Sequence, residues 1–246
     1  MFRAHSRREL AAIVRGARVS GVDAAAAARH FGRPILVEID PRRVLFQLPS
    51  RVLLGGGTHR LGRDLVDAAD WGACLSTTRE RRAYREMRKL VAHRADFREL
   101  ALYRRMAARI AAGEWVARSG IQLATIETLD AYFEHYARLI AAIRDEGYAA
   151  AEAAAARGVP GAWGNGRPDR DVSVAIGAEG EPIRYLGGNH RFAIACELGV
   201  SAIRCEVRLI HFNWLARRAD EEGIGLYAML ERLHANPATL EPRGAS

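Results

Sequence analysis

Five consecutive residues, Gly187-Gly188-Asn189-His190-Arg191, bring together groups that can hold a phosphate. Two glycines, lacking Cβ, let a backbone come close to a ligand. A helix that opens directly after them presents unpaired amides and the positive end of its dipole at the same point. Arg191 would add a bidentate positive fork, His190 a donor or proton carrier, and Asn189 a polar amide. The bland alternative is a tight strand-to-helix turn with a solvated arginine, since many such turns carry glycine.

The elements that must position this turn punctuate themselves. Val172 to Ile176 reads as a strand, Ala178 to Pro182 as a turn, and Ile183 to Leu186 as the returning strand of a hairpin. His190-Arg191 opens a short helix, Phe192 to Leu198, which is closed by Gly199. The next strand, Ile203 to Leu209, alternates Ile203, Cys205, Val207 and Leu209 on one face. Upstream, Leu129, Tyr132, Phe133, Tyr136, Leu139, Ile140 and Ile143 recur at three- and four-residue spacing. That stripe predicts a helix over 128–146 with Gly147 as its C-cap. Residues 158–168 are rich in glycine and proline and read as loop.

Nearer the N-terminus, residues 6–31 read as helical. Pro34 and the apolar run Ile35 to Ile39 then place a strand where a helix-turn-helix would need its recognition helix. A second apolar run, Val44 to Leu48, comes after the turn opening Asp40-Pro41. Gly55-Gly56-Gly57 before a basic stretch could wrap a phosphate, but it lacks the Walker pattern and any lysine, which favours a flexible loop. From Thr77 to Ala112 the chain is helical and crowded with arginine, a solvated face or a basic groove for a polyanion. His211 to Trp214 would either stack on a base or seal the edge of the core.

The formal charge is +8, and Lys89 is the only lysine among 37 basic residues. Arginine suits phosphate and carboxylate, although a GC-rich coding bias produces the same composition. Cys74, Cys196 and Cys205 are odd in number and form no CxxC pair, which argues against a disulfide framework and for a reducing compartment. Cys196 lies in an apolar helical stretch, as a core residue would. No segment approaches the ~20 apolar residues of a membrane span, and no signal peptide is recognisable. A soluble, cytoplasmic protein is the expectation.

The run Gly187-Gly188-Asn189-His190-Arg191, continued by Phe-Ala-Ile-Ala and Leu-Gly-Val, resembles the signature of the ParB/sulfiredoxin fold. ParB-like domains carry a "GxHR" or "GERR" turn before "xxAAxxLG" and a strand, and sulfiredoxins carry "GGCHR". The helix ending at Gly147-Tyr148 is similar to the family's "LxxSIxxxG" helix. The resemblance covers residues 129–211, with a weaker match over 35–48. It departs at Asn189, where sulfiredoxins place their nucleophilic cysteine, so sulfiredoxin chemistry is not implied. Only about 35 residues come after His211, too few for the helical module with which ParB reads DNA.

The resemblance implies a mixed α/β (α+β) fold, a small ParB-like sheet with surrounding helices. Residues 1–34 would form N-terminal helices and 35–246 the ParB-like domain, with a helical insertion over about 60–127. Free-serine kinases share this fold, so the resemblance implies a bound nucleotide (ATP, ADP or CTP) with Mg2+. The implied activity is transfer of phosphate to a small-molecule or glycan hydroxyl. In that scheme Gly187, Gly188, Asn189, His190 and Arg191 hold phosphates. Asn165, Arg167 and Arg170 close over the ligand, and Asp169 and Asp171 bind the metal. Glu38 serves as base, with His190 and Asp171 also catalytic. The competing expectation is a non-enzymatic nucleic-acid-binding or nucleotide-switch protein, supported by the arginine-rich helices.

Overall fold

The structure, a computed structural model, describes residues 22–49, 51–54, 57–60, 71, 75–93, 96–118, 121–158 and 171–240. The chain forms β1 (Val22–Asp23), α1 (Ala24–Phe31), β2 (Ile35–Ile39), β3 (Phe46–Gln47), β4 (Arg51–Leu54), β5 (Gly57–Arg60), β6 (Ser76–Thr77), α2 (Arg82–Ala92) and α3 (Ala101–Ala111). Next come β7 (Val116–Arg118), β8 (Ile121–Leu123), α4 (Ile126–Glu146), α5 (Ala151–Ala156), β9 (Val172–Ile176), β10 (Pro182–Arg184), α6 (Asn189–Glu197), β11 (Ile203–Ile210), α7 (Phe212–Glu221) and α8 (Leu226–Ala235). The class is mixed α/β, as the interleaved periodicities predict. None of the described helices is long and apolar enough to cross a membrane.

A seven-stranded mixed sheet carries the fold in the order β1-β11-β9-β10-β3-β6, with β2 also paired to β11. Strands β9 and β10 form the expected antiparallel hairpin. Helix α6 then carries the chain back so that β11 lies parallel to β9, the connection a parallel pair requires. β11 is thus central, flanked by β9 on one side and by β1 and β2 on the other.

Alternation along β11 sends Ile203, Cys205 and Val207 into the main core with Val172 and Val174. A bulge between Val207 and Leu209 breaks that alternation. One extra residue on the bulged strand reverses the facing of the residues beyond it. Leu209 therefore joins Leu48, Trp71, Ala175, Ile183 and Tyr185 in a second cluster, while Ile210 returns to the main core. The expectation that Leu209 shares a face with Ile203 fails for this reason.

Helix α4 begins two residues before the predicted start. Thr125 and Thr128 form a reciprocal capping box there, and Gly147 ends the helix at φ +82°. Its seven predicted apolar positions are all buried. The basic stretch over 77–112 is two helices rather than one. Asp96 accepts a hydrogen bond from the Arg98 amide at 2.9 Å and holds a one-turn 3-10 helix between them. Tyr84, Met87 and Leu90 of α2 and Tyr103 and Met106 of α3 enter the same core as α4 and α6. Of the run Val44–Leu48 only Phe46 and Gln47 pair as strand, because the Thr78 hydroxyl and amide engage the carbonyls of Val44 and Leu45.

Candidate anion-binding site

The glycine turn comes directly after β10. Gly187 and Gly188 have φ of +51° and +62°, the left-handed region that disfavours any residue with a Cβ. Gly188 carries a second requirement, since a Cβ there would lie 3.0 Å from the Val172 Cα. These two residues reverse the chain so sharply that α6 opens at Asn189, one residue before the opening expected at His190-Arg191. Asn189, His190 and Arg191 therefore occupy the first helical turn, and Gly188 supplies no side-chain cap to it.

Beside this turn stands Arg184, the last residue of β10, only 1 % exposed. Its Nη1 donates to the carbonyls of Ser173, Tyr185 and Leu186 at 2.5, 3.0 and 2.6 Å. Its Nη2 donates to Asn189 Oδ1 at 2.8 Å, and its Nε has no hydrogen-bond partner. Every partner among the described residues is neutral, so none of their carboxylates compensates the charge. Burial lowers the pKa to about 10, which leaves the group cationic at neutral pH. A buried cation without a charged partner is costly, and an anion bound beside it would offset that cost.

Arg184 and Asn189 form one wall of a cavity of about 370 Å³, at the small end of the range for ligand pockets. Phe192 of α6 continues this wall, and Gln47 and Thr78 come from the β3–β6 edge. The start of α2, from Arg81 to Tyr84, lines the cavity as well. α2 also begins without a side-chain cap, its N-cap residue being Arg81. Two uncapped helix N-termini thus border one cavity, with first-turn amides and positive dipole ends on both. Arg81 makes no ion pair among the described residues. Arg82 is drawn to Glu86 at 3.0 Å and to the Ala117 carbonyl. No Asp or Glu is among the described lining residues.

The structure brings together only part of the predicted site. Of the glycine turn and the residue after it, Asn189 lines the cavity, while Gly187 and Gly188 set the backbone that leads into it. Arg191 instead turns inward: it is buried, donates through Nη2 to the Ala149 carbonyl, and its guanidinium lies 5.1 Å from the Tyr148 ring centre. It ties α6 to the end of α4 rather than presenting a fork to the cavity. His190 also faces α4, with Nδ1 hydrogen-bonded to the Tyr136 hydroxyl at 3.0 Å. Burial, then the nearby His135, hold its pKa down to about 4, so it is a neutral ring at pH 7.

The carboxylates are elsewhere. Asp171 accepts both Nε and Nη2 of Arg204 on one oxygen, at 3.1 and 3.0 Å. Glu38 sits opposite Arg204 on β2 and lines a separate cavity of about 540 Å³. Arg204 so stands between two acids, Glu38 opposite it on β2 and Asp171 just before β9. No group of three metal-ligating side chains occurs among the described residues. Asn165, Arg167, Asp169 and Arg170 lie outside the described residues, as does Cys74. His211 caps α7 through Nδ1, and it and Trp214 are buried, so this segment seals the core.

Sequence reasoning missed Arg184, Arg81 and Tyr84. Strand alternation held a signal for the first: Ile183 and Tyr185 face one cluster, which turns Arg184 to the side where α6 packs. Comparison with family models, curated proteins and solved structures gives no match to this chain.

Proposed function

We propose that this protein binds a phosphate-bearing small molecule, a nucleotide by class, in the cavity between α2 and α6. The observation that carries the proposal is Arg184, a cation buried in the cavity wall with only neutral partners. Two uncapped helix starts and the exposed Arg81 add to the positive field at the same place. The rings of Tyr84 and Phe192 in the wall suit the flat face of a base.

Transfer of the phosphate to a small-molecule or glycan hydroxyl needs a base and usually a metal held by carboxylates. The described residues supply neither at the cavity, so binding is the reading they support. The test is a thermal-shift and titration series with ATP, ADP, CTP and GTP against the wild type and Arg184→Lys. Lysine keeps the charge but loses the planar fork. A melting-temperature rise with one nucleotide, weakened about tenfold or more in affinity by Arg184→Lys, supports the proposal. No rise with any nucleotide sinks it.

A second reading has its own observation. Arg81, the N-cap of α2, and Arg85 and Arg88 within it stand at i, i+4 and i+7, all exposed and none ion-paired among the described residues. Such a stripe leading from the cavity mouth suits a longer polyanion such as nucleic acid. A steep fall of oligonucleotide affinity with salt, absent for a mononucleotide, would favour it.

A further inference from the structure

The phosphate chemistry expected from the sequence includes Mg2+, and the cavity wall does not fit that ion. Mg2+ binds through oxygen ligands, characteristically one or two carboxylates besides phosphate and water. The ionisable groups that the described wall offers are Arg81, Arg82, Tyr84 and Arg184, with no acid among them. Tyr84 is kept protonated, since burial and then Glu197 push its pKa up. Of the acids near the wall, Glu80 precedes Arg81 but is not a lining residue and accepts the Thr77 hydroxyl at 2.5 Å, and Glu86 is occupied by Arg82 and Arg118, each at 3.0 Å. Asp171 is held by Arg204. A hydrated dication brought in on a phosphate would face guanidinium groups and the positive ends of two helices.

Resting on the nucleotide reading, we infer that the cavity takes its ligand metal-free: the competent species is the uncomplexed di- or triphosphate, and Mg2+ competes with the protein for it. The positive groups occupy the role that the metal fills in metal-dependent sites. Arg184 meets the phosphate in the interior, Arg81 meets it at the mouth, and the first-turn amides of α2 and α6 receive its remaining oxygens. The protein's own positive groups then supply most of the charge neutralisation without a dication, and adding one places like charges in contact.

The experiment titrates the full chain with ADP and, separately, with inorganic pyrophosphate, in EDTA and in excess Mg2+. The expected result is tighter apparent binding in EDTA. With Mg2+ the affinity should fall about tenfold or more, because like-charge contacts are strongly disfavoured. Across a Mg2+ series the apparent affinity should track the uncomplexed fraction of the ligand. Equal or tighter binding with Mg2+ overturns the inference. If that gain disappears in Asp169→Asn or Asp171→Asn, the metal is held by a carboxylate and the expectation from the sequence stands instead. Absence of binding in both buffers is a different failure, for it removes the nucleotide reading itself.

Discussion

Arg184 and Asn189 are joined by a 2.8 Å hydrogen bond from Nη2 to Oδ1 that ties the last residue of β10 to the first residue of α6. The three carbonyls on Nη1 fix the other end of the same guanidinium. Its position is set before any ligand arrives, so little ordering remains to be done on binding, and such preorganisation favours affinity. Hydrogen bonds alone leave the charge uncompensated, and that asymmetry generates the first prediction.

Asn189→Asp places a carboxylate where the amide oxygen now meets Arg184. The buried cation acquires an ionic partner, and a charge-assisted hydrogen bond contributes about 1.5–3 kcal/mol. The ligand-free protein should melt at a higher temperature while nucleotide affinity falls about tenfold or more. Calorimetry of the free protein and titration with ADP read the two effects. Unchanged affinity in this variant would mean that Arg184 does not meet the ligand.

The two turn glycines should differ in their tolerance of alanine. Each takes a positive φ, so alanine at either position costs roughly 1–2 kcal/mol in backbone strain. At Gly187 the space is open, whereas at Gly188 the new methyl would press on the Val172 backbone. Urea denaturation should therefore show Gly188→Ala less stable than Gly187→Ala. Equal midpoints would contradict the close approach of the turn to β9.

Stability should fall in mild acid through His190. Its folded pKa of about 4 lies below the ~6.5 of an unfolded histidine. Between these values the unfolded chain binds a proton that the folded one refuses. Stability is therefore full above about pH 6.5 and declines as pH drops toward 4, by no more than about 3 kcal/mol. His190→Gln should flatten this slope in urea titrations at several pH values. His234, also lowered by burial, remains in both proteins, so the difference isolates His190. Parallel slopes would show that His190 titrates normally.

Much of the fold was legible because local signals agreed. The broad stripe of α4 ends at a glycine, and β9 is a buried β-branched run between turn residues, so both lie where they were predicted. The start of α6 was legible to within one residue from the glycine pair, although its N-cap is a left-handed glycine and not a Ser, Thr, Asp or Asn. Within the candidate site, Asn189 was readable from spacing, as was the glycine turn that precedes it. The direction of Arg191 was not, since it depends on the Ala149 carbonyl 42 residues earlier. The same holds for Glu38 and Asp171, which sheet register brings to Arg204 and not to the glycine turn. Arg81 and Tyr84 reach the cavity only because α2 docks on α6, a contact across more than a hundred residues that no local pattern encodes.

The bulge in β11 has a mechanical consequence. Before it, the strand's apolar side chains pin the helices of the main core; after it, Leu209 pins the small layer on the far side of the sheet. A single unbroken backbone so rivets two layers that share no other strand as long. Loosening either one pulls on the same rivet, and the two should melt together as one cooperative unit rather than peel apart in sequence.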